Sequence, residues 1–325
     1  MSMLTLKRFI TFAMMVFFLS ACSSQEEQME KMIERQTAIT KQALDKLQQD
    51  IDNNRIRNAS ILSTYAQQLS EKRPELAELT AQIGKDATTE GPLFQNLLSR
   101  YNDAKSNPQL YLTKQEHLDE LLAIEEAAQA SLFNDALSDP VNVIADLSNG
   151  QLSRVNSISR AAEMQANGAK DFGAGQQMIG NPNYGQWRTD SSGMSFWEWY
   201  GMYALFSNLF DGRRHYYSDW GRYRGYSYYN DYGRDRYSSP RQRQADTATY
   251  NRTKKSFAAR GKTFTGPYSK QRVGSSSLSR SSHTATKRSS FSKRSTASTS
   301  SNNSRSSGSM RNSSSRTSRS YSRGK

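Results

Sequence analysis

The chain has 325 residues, of which only 35% are hydrophobic, and its mean hydropathy is −0.82. Average soluble domains contain roughly 45–50% apolar residues, so this composition excludes one large core built from the whole chain and predicts that part of it is disordered. A single cysteine excludes an intrachain disulfide and a cysteine metal cluster, and three scattered histidines argue against a histidine metal site, so no metal or cofactor is expected.

The formal net charge of +14 is divided unequally between two halves of the chain. Residues 23–171 hold 15 basic and 23 acidic residues, a net charge of −8, whereas residues 172–325 hold 27 basic and 7 acidic residues, a net charge of +20. From Thr247 to Lys325 there are 18 Lys and Arg residues and no acidic residue. The sequence therefore predicts an acidic half joined to a strongly basic half.

The N-terminus has the pattern of a targeting signal. Lys7 and Arg8 supply positive charge, residues 9–19 form an apolar run, and the run ends in Leu19-Ser20-Ala21-Cys22. The run is too short for a membrane-spanning helix, which needs roughly 20 residues, but it has the length of a signal-peptide core. The last four residues resemble the lipobox of bacterial lipoproteins, in which signal peptidase II cleaves before the cysteine.

This resemblance implies that residues 1–21 are a signal peptide and that Cys22 is lipidated, with a diacylglycerol thioether and an N-acyl chain such as palmitate. Two acyl chains are enough for stable anchoring to a membrane. In this class of protein a serine after the cysteine, here Ser23, favours the periplasmic face of the outer membrane, with the inner membrane or the cell surface as alternatives. An ordinary secretory signal or an uncleaved anchor would be the other interpretations of this segment.

Residues 22–167 are predicted to form an acidic, all-α domain. No proline or glycine interrupts residues 25–70, which favours one long helix, either partly coiled-coil-like or an arm of a helical bundle. Further helices are expected after Pro74 and after Pro92, and after a capping box at Thr113. Asp139 followed by proline suggests an N-cap, with a weaker helix to residue 166. No strand is predicted, because the chain lacks β-branched alternation and hairpin signals.

Six glycines between residues 168 and 193 predict a flexible linker. The following segment, residues 194–246, begins with an aromatic run that is predicted to be helical. Its aromatic side chains are candidates for contact with a membrane interface or with a protein partner, and docking onto the helical body is the alternative. These candidates are Phe196, Trp197, Trp199, Tyr200, Tyr203, Phe206 and Phe210.

Residues 211–237 are rich in arginine, tyrosine and glycine, a composition that suits cation–π contacts or sticky disorder. Residues 247–325 are predicted to be a disordered basic tail, because 25 of these 79 residues are serine. The tail is expected to bind anionic polymers or lipid headgroups, and a solvated tether without a ligand is the alternative. Nucleic acid is not expected as a partner in the cell. The candidate contacts are Arg280, Lys287, Arg288, Lys293 and Arg294.

No phosphate loop, dinucleotide fingerprint or nucleophile elbow occurs in the sequence, and His117, His215 and His283 are expected to be solvated, so no catalytic residue is assigned. The expected protein is a lipid-anchored bacterial lipoprotein that tethers or scaffolds components of the envelope without catalysis. The alternative is an envelope assembly factor whose helical body docks one protein partner, the tail being incidental.

Overall fold

The computed structural model describes residues 3–209 and 212–284, with side chains described from Gln25 onward. The described part is mostly helical, which confirms the helical part of the predicted fold. The elements are α1 Met3–Asp52, α2 Arg57–Lys72, α3 Ala77–Gly84, α4 Pro92–Ser106, α5 Lys114–Ala127, α6 Ala130–Ala136, α7 Ser138–Leu147, α8 Arg160–Asn167, β1 Gly185–Thr189, β2 Ser195–Trp199, α9 Leu205–Leu209, α10 Tyr217–Tyr223 and α11 Pro240–Ala258. Within these residues no helix is both long and apolar enough to cross a membrane.

The predicted single helix over residues 25–70 is wrong, because α1 ends at Asp52 and α2 begins only at Arg57. The break falls at Asn54, whose φ of 53° lies in the left-handed region that asparagine tolerates better than most residues. α1 then lies beside α5 in parallel orientation: Glu30 pairs with Lys114, and Thr40 donates to the Leu121 carbonyl at 3.1 Å. The start of α5 therefore lies beside the middle of α1, and both helices run from there in the same direction.

One of the two hydrogen bonds of the predicted capping box at Thr113 is confirmed: the threonine hydroxyl accepts from the Glu116 backbone N–H at 3.0 Å. Asp139 is not an N-cap. It lies inside α7, buried, and its carboxylate accepts hydrogen bonds from the backbone N–H groups of Tyr228 and Tyr229 at 2.8 and 2.9 Å. A residue predicted to start a helix thus holds the tyrosine-rich segment against the helical body.

Residues 168–193 are not a flexible linker. Ala174 to Ile179 are buried, and the chain continues into β1, which pairs antiparallel with β2 from Gly185 opposite Trp199 to Thr189 opposite Ser195. Asp190 closes the hairpin by accepting hydrogen bonds from the backbone of the turn. The prediction of no strand is therefore wrong. In β2 the buried residues Ser195, Trp197 and Trp199 alternate with half-buried ones, a period of two that is typical of a strand and not of a helix face.

The disordered tail does not begin at residue 247. α11 runs to Ala258, and residues 259–284 lie against the body, with Phe264, Arg272 and Ser282 buried. The carboxylate of Asp135 accepts hydrogen bonds from the backbone and hydroxyl of Ser279 and from the Ser282 hydroxyl, at 2.6–2.8 Å. We call residues 259–284 the C-terminal strap. The rest of the predicted tail, residues 285–325, lies outside the described residues.

Burial of carboxylates predicts how stability depends on pH. Burial raises the pKa of Asp86 to about 6 and that of Asp139 to about 7. The unfolded chain releases these protons near pH 3.9, so between about pH 4 and 7 the folded state binds more protons than the unfolded state. The free energy of unfolding should therefore fall by about 2–4 kcal/mol from pH 5 to pH 8, since each group contributes at most about 1.4 kcal/mol per pH unit.

Urea unfolding at both pH values measures this change. Replacing Asp139 with asparagine should reduce the fall to the share that Asp86 contributes, whereas the same change at the exposed Asp119 should leave the pH dependence intact. The lowered pKa of the partly buried His215 acts in the opposite direction only at the acidic end of this range. Stability that rises between pH 6 and pH 8 would contradict the assignment.

Candidate functional site

The aromatic segment is part of the protein core. Trp197, Trp199, Tyr203 and Phe206 are buried, so the prediction that they contact a membrane is wrong in this arrangement. Tyr203 lies edge-on to Tyr184 with ring centroids 5.2 Å apart. The segment folds as β2, a 3-10 turn over Gly201–Ala204 and the short α9, not as one helix. Of the other candidates, Tyr200 is 41% exposed and Phe196 is half-buried. Phe210 lies outside the described residues.

The second half of the Arg-Tyr-Gly run, residues 224–237, is likewise largely buried, whereas Arg213, Arg214 and Arg222 in its first half are exposed. Tyr229 shares a hydrogen bond with Ser238 at 2.6 Å, and the Tyr237 hydroxyl donates to the Ala127 carbonyl at 2.9 Å. Arg224 forms a two-bond ion pair with Asp231 at 2.7 and 2.9 Å. The arginines that composition suggested for ligand contact at these positions therefore serve the fold.

A basic cleft of about 890 Å³ opens between the ends of α2 and α7, the start of α8, the loop at residues 170–174 and the segment at residues 213–219. Five basic and three acidic side chains line it, so its wall is net positive. These charged residues are Arg73, Arg160, Lys170, Arg213, Arg214, Asp146, Asp171 and Asp219. Since they are spread over almost 150 positions, no local motif in the sequence brings them together.

Ion pairs organise the wall of the basic cleft. Lys170 contacts Asp219 at 3.0 Å, and Arg160 pairs with Asp171 and lies 3.8 Å from Asp146. The Lys170 and Asp219 side chains are about half exposed. Exposed pairs of this kind contribute only about 0.2–1 kcal/mol, so an incoming anion can replace the carboxylate at low cost. Asp146 is buried, and burial raises the pKa of its carboxyl.

Arg214 is held at the mouth of the cleft by the aromatic segment. Its guanidinium lies over the ring of Phe196, 4.6 Å from the ring centroid. Phe196 belongs to β2, and its backbone also bridges to Tyr216. The neighbouring His215 has a pKa lowered by burial, so it is neutral at pH 7 and leaves the positive charge to the arginines and Lys170. Guanidinium and ammonium groups in such a cleft can bind phosphate, sulfate or carboxylate oxygens through charge-assisted hydrogen bonds.

The other predicted site residues lie elsewhere. Arg280 is exposed on the C-terminal strap, away from the residues that line the basic cleft. Cys22 belongs to α1, and it precedes Gln25, the first residue whose side chain is described. The remaining basic candidates lie outside the described residues; they are Lys287, Arg288, Lys293 and Arg294.

The histidines differ from expectation in two cases, and one of them is His215, which is half-buried and packs edge-on against Phe172. His117 is buried, stacked on Tyr111 at 4.7 Å, with its Nε2 2.7 Å from the Ala104 carbonyl, so it is not on a solvated surface. His283 is exposed. Among the residues with described side chains, no three histidine, cysteine or carboxylate groups come close enough to hold a metal ion.

Comparison with known proteins adds no relative to these observations. We found no family model that matches the chain, and no curated protein or solved structure with significant similarity to it.

Proposed function

We propose that this chain is a bacterial lipoprotein, anchored at the envelope through Cys22, with a non-catalytic tethering or scaffolding role. Its basic surfaces, the tail at residues 285–325 and the basic cleft, bind anionic polymers or lipid headgroups. The expected place is the periplasmic face of the outer membrane. The lipobox resemblance supports the anchor, and the arrangement of the two ends of the body supports the tethering role.

The observation that carries the proposal is where the basic tail leaves the body. Residues 25–52 of α1 extend about 40 Å at 1.5 Å per residue, beginning three residues after Cys22. The strap is fixed to Asp135, and the adjacent Asn134 bonds to Asn58, just beyond the other end of α1, at 2.6 and 2.8 Å. The anchoring cysteine therefore lies about 40 Å along α1 from the end of the helix near which the tail begins, an arrangement that suits a bridge between a membrane and a distant polymer.

The tail has the composition for such a contact. Residues 285–325 contain ten Lys and Arg residues and no acidic residue. Binding of such a segment to a dense polyanion releases condensed counterions and weakens steeply with salt. The basic cleft provides a second, folded cationic surface on the same chain, where exposed ion pairs can exchange partners.

A second candidate function is protein docking by the helical body, and one observation favours it. Leu112 is 84% exposed, and Leu110 and Met32 are also exposed. They lie within a few residues of the ion pair between Glu30 and Lys114, where the start of α5 meets the middle of α1. An apolar docking contact of this kind would be nearly insensitive to salt, whereas binding through the tail would not.

Replacing Cys22 with serine should release the protein from the membrane fraction or leave an unprocessed precursor, because the serine hydroxyl cannot form the thioether. Metabolic labelling with a radioactive fatty acid, followed by fractionation, measures this. The matched control is Ser24→Ala, which leaves the lipidation site unchanged. A fatty acid label that persists in the C22S variant would overturn the lipid anchor.

A chain ending at Thr284 should lose at least about tenfold in affinity for heparin at 0.15 M salt, because it lacks ten positive charges. Its thermal unfolding should match that of the full chain, since every described contact of the strap remains. Heparin chromatography and calorimetry measure the two quantities. Equal retention of both chains would remove the tail as the binding element, and salt-insensitive partner capture would favour the docking function.

A further inference from the structure

The sequence contains two asparagine residues that are followed by glycine, Asn149 and Asn167. An asparagine in this position is prone to spontaneous deamidation, because glycine has no side chain to shield its backbone nitrogen from the asparagine amide. The two glycines have similar local geometry: φ is 85° at Gly150 and 57° at Gly168, and no atom lies within 4 Å of the place where a Cβ would be. The local sequence and the turn geometry therefore do not separate the two sites, whereas their tertiary contacts do.

Asn149 is free to react. It follows α7, and both it and Gly150 are exposed. Within the described residues, neither the Asn149 side-chain amide nor the Gly150 backbone N–H makes a hydrogen bond. The turn itself is held by two long backbone bonds, from Asn149 to the Asp146 carbonyl at 3.4 Å and from Gln151 to the Ser148 carbonyl at 3.3 Å. Typical N–H···O distances are about 2.7–3.2 Å, so the turn can rotate toward a reactive geometry at low cost.

Asn167, in contrast, is held by hydrogen bonds at both of the groups that would react. Its Nδ2 donates to the Val273 carbonyl at 2.7 Å, and its Oδ1 accepts from the Val273 backbone N–H at 2.8 Å. The N–H of Gly168 donates to the Met164 carbonyl at the end of α8. The C-terminal strap therefore fixes the amide that would be attacked, and the helix end occupies the nitrogen that would attack it.

We propose that Asn149 is a deamidation site at the edge of the basic cleft and that its conversion to a carboxylate weakens the binding of anions there. The reaction needs only water. The Gly150 nitrogen loses its proton and attacks Cγ of Asn149, so that a C–N bond forms. The Cγ–Nδ2 bond breaks, and the departing amide nitrogen takes up a proton and leaves as ammonia. Water then opens the five-membered imide at either carbonyl and leaves aspartate or isoaspartate at position 149.

The product changes the charge of the basic cleft. Asn149 lines the cleft together with five basic and three acidic side chains, so deamidation adds a fourth acidic group. Arg73, one of the five basic residues, donates at 3.3 Å to the carbonyl of Leu147, two residues before Asn149. A carboxylate at position 149 therefore forms close to this guanidinium and lowers the positive potential that an incoming anion meets. This consequence rests on the proposed role of the basic cleft in binding anions, whereas the reaction itself does not.

Incubation of the full chain at neutral pH, followed by trypsin digestion and mass spectrometry, tests the reaction. Arg154 and Arg160 lie between the two sites, so trypsin places them in separate peptides. In the folded protein Asn149 should be converted at least about tenfold faster than Asn167, because hydrogen bonds protect the reacting groups of Asn167. In urea, where these bonds are lost, the two rates should become similar. Equal rates in the folded protein, or faster conversion of Asn167, would overturn the assignment.

Titration calorimetry with inorganic pyrophosphate at low salt tests the effect on the basic cleft. Asn149→Asp carries the charge of the product and should bind pyrophosphate about two- to fivefold more weakly than the wild type, which is the effect of one exposed charge. The basic tail is the same in both proteins, so it cannot cause a difference between them. The matched control, Asn102→Asp, makes the same substitution at an exposed position of α4 that does not line the cleft, and it should leave the affinity unchanged.

A third variant, Lys170→Ala, removes a cation from the wall of the cleft and reports separately whether the cleft binds the anion. It should also weaken the binding of pyrophosphate. A weaker affinity in Lys170→Ala with an unchanged affinity in Asn149→Asp would overturn the effect of deamidation alone. An unchanged affinity in both variants would overturn the anion-binding role of the basic cleft and, with it, this effect.

Discussion

A chain that ends at Asp246 should form a strongly destabilised body, although the sequence alone suggests that only a disordered tail is removed. The deletion takes away the second half of α11 and the whole C-terminal strap. Asp135 loses the three hydrogen bonds from Ser279 and Ser282, and Arg224 loses the Pro267 carbonyl. The ring of Phe264, which packs near Tyr217, is also lost.

We expect this deletion to cost about 5 kcal/mol or more, because it leaves buried polar groups unpaired and opens the core. For a body of this size that corresponds to a fall in Tm of about 10–20 °C. Differential scanning calorimetry measures it, with the chain ending at Thr284 as the matched control, which should unfold like the full chain. Equal Tm values for the two truncated chains would show that the strap contributes nothing to stability.

Replacing Arg224 with methionine should destabilise the protein by about 3–5 kcal/mol. The Arg224 and Asp231 side chains are each only 3% exposed, and methionine would leave the Asp231 carboxylate buried without its partner. Arg224 also donates to the backbone carbonyls of Gly225 and Pro267, so the variant weakens the junction between α10 and the strap. Urea unfolding of both proteins measures the difference in the free energy of unfolding.

Arg222 is the matched control, since it lies two residues earlier, at the end of the same helix, and is exposed. Arg222→Met should change the free energy of unfolding by less than about 0.5 kcal/mol. If both substitutions had the same small effect, the buried ion pair would not be a determinant of stability, and the arginines of this run would be equivalent, as composition suggests.

Local signals in the sequence were enough to place most helices of the body. The prolines that start α4 and the turn before α3, and the threonine that caps α5, act within one helical turn, so they can be read without knowledge of the fold. The helical spacing of the leucines of α5 is also visible in the sequence, although Leu121 is buried and Leu122 is exposed. These features depend on the backbone rules for helix ends and on a period of 3.6 residues.

The second half of the body could not be predicted because its core is built from contacts between distant, amphipathic residues. Tyr228, Tyr229 and Tyr237 contribute large buried rings, and the hydroxyl groups of Tyr228 and Tyr237 form hydrogen bonds with residues 54 and 110 positions away. Tyrosine and arginine carry polar groups, so composition alone does not indicate that these three tyrosines and Arg224 are buried. The basic cleft has the same origin, since the groups around Arg73 and Arg214 come together only after the tertiary fold has formed.

The bonds between Asp135 and the strap also determine when the body can finish folding. Ser279 and Ser282 follow Asp135 by 144 and 147 positions in the sequence. These hydrogen bonds can therefore form only after the chain has been synthesised as far as Ser282. During synthesis, the first half of the body must therefore wait without the hydrogen bonds that Asp135 accepts from Ser279 and Ser282.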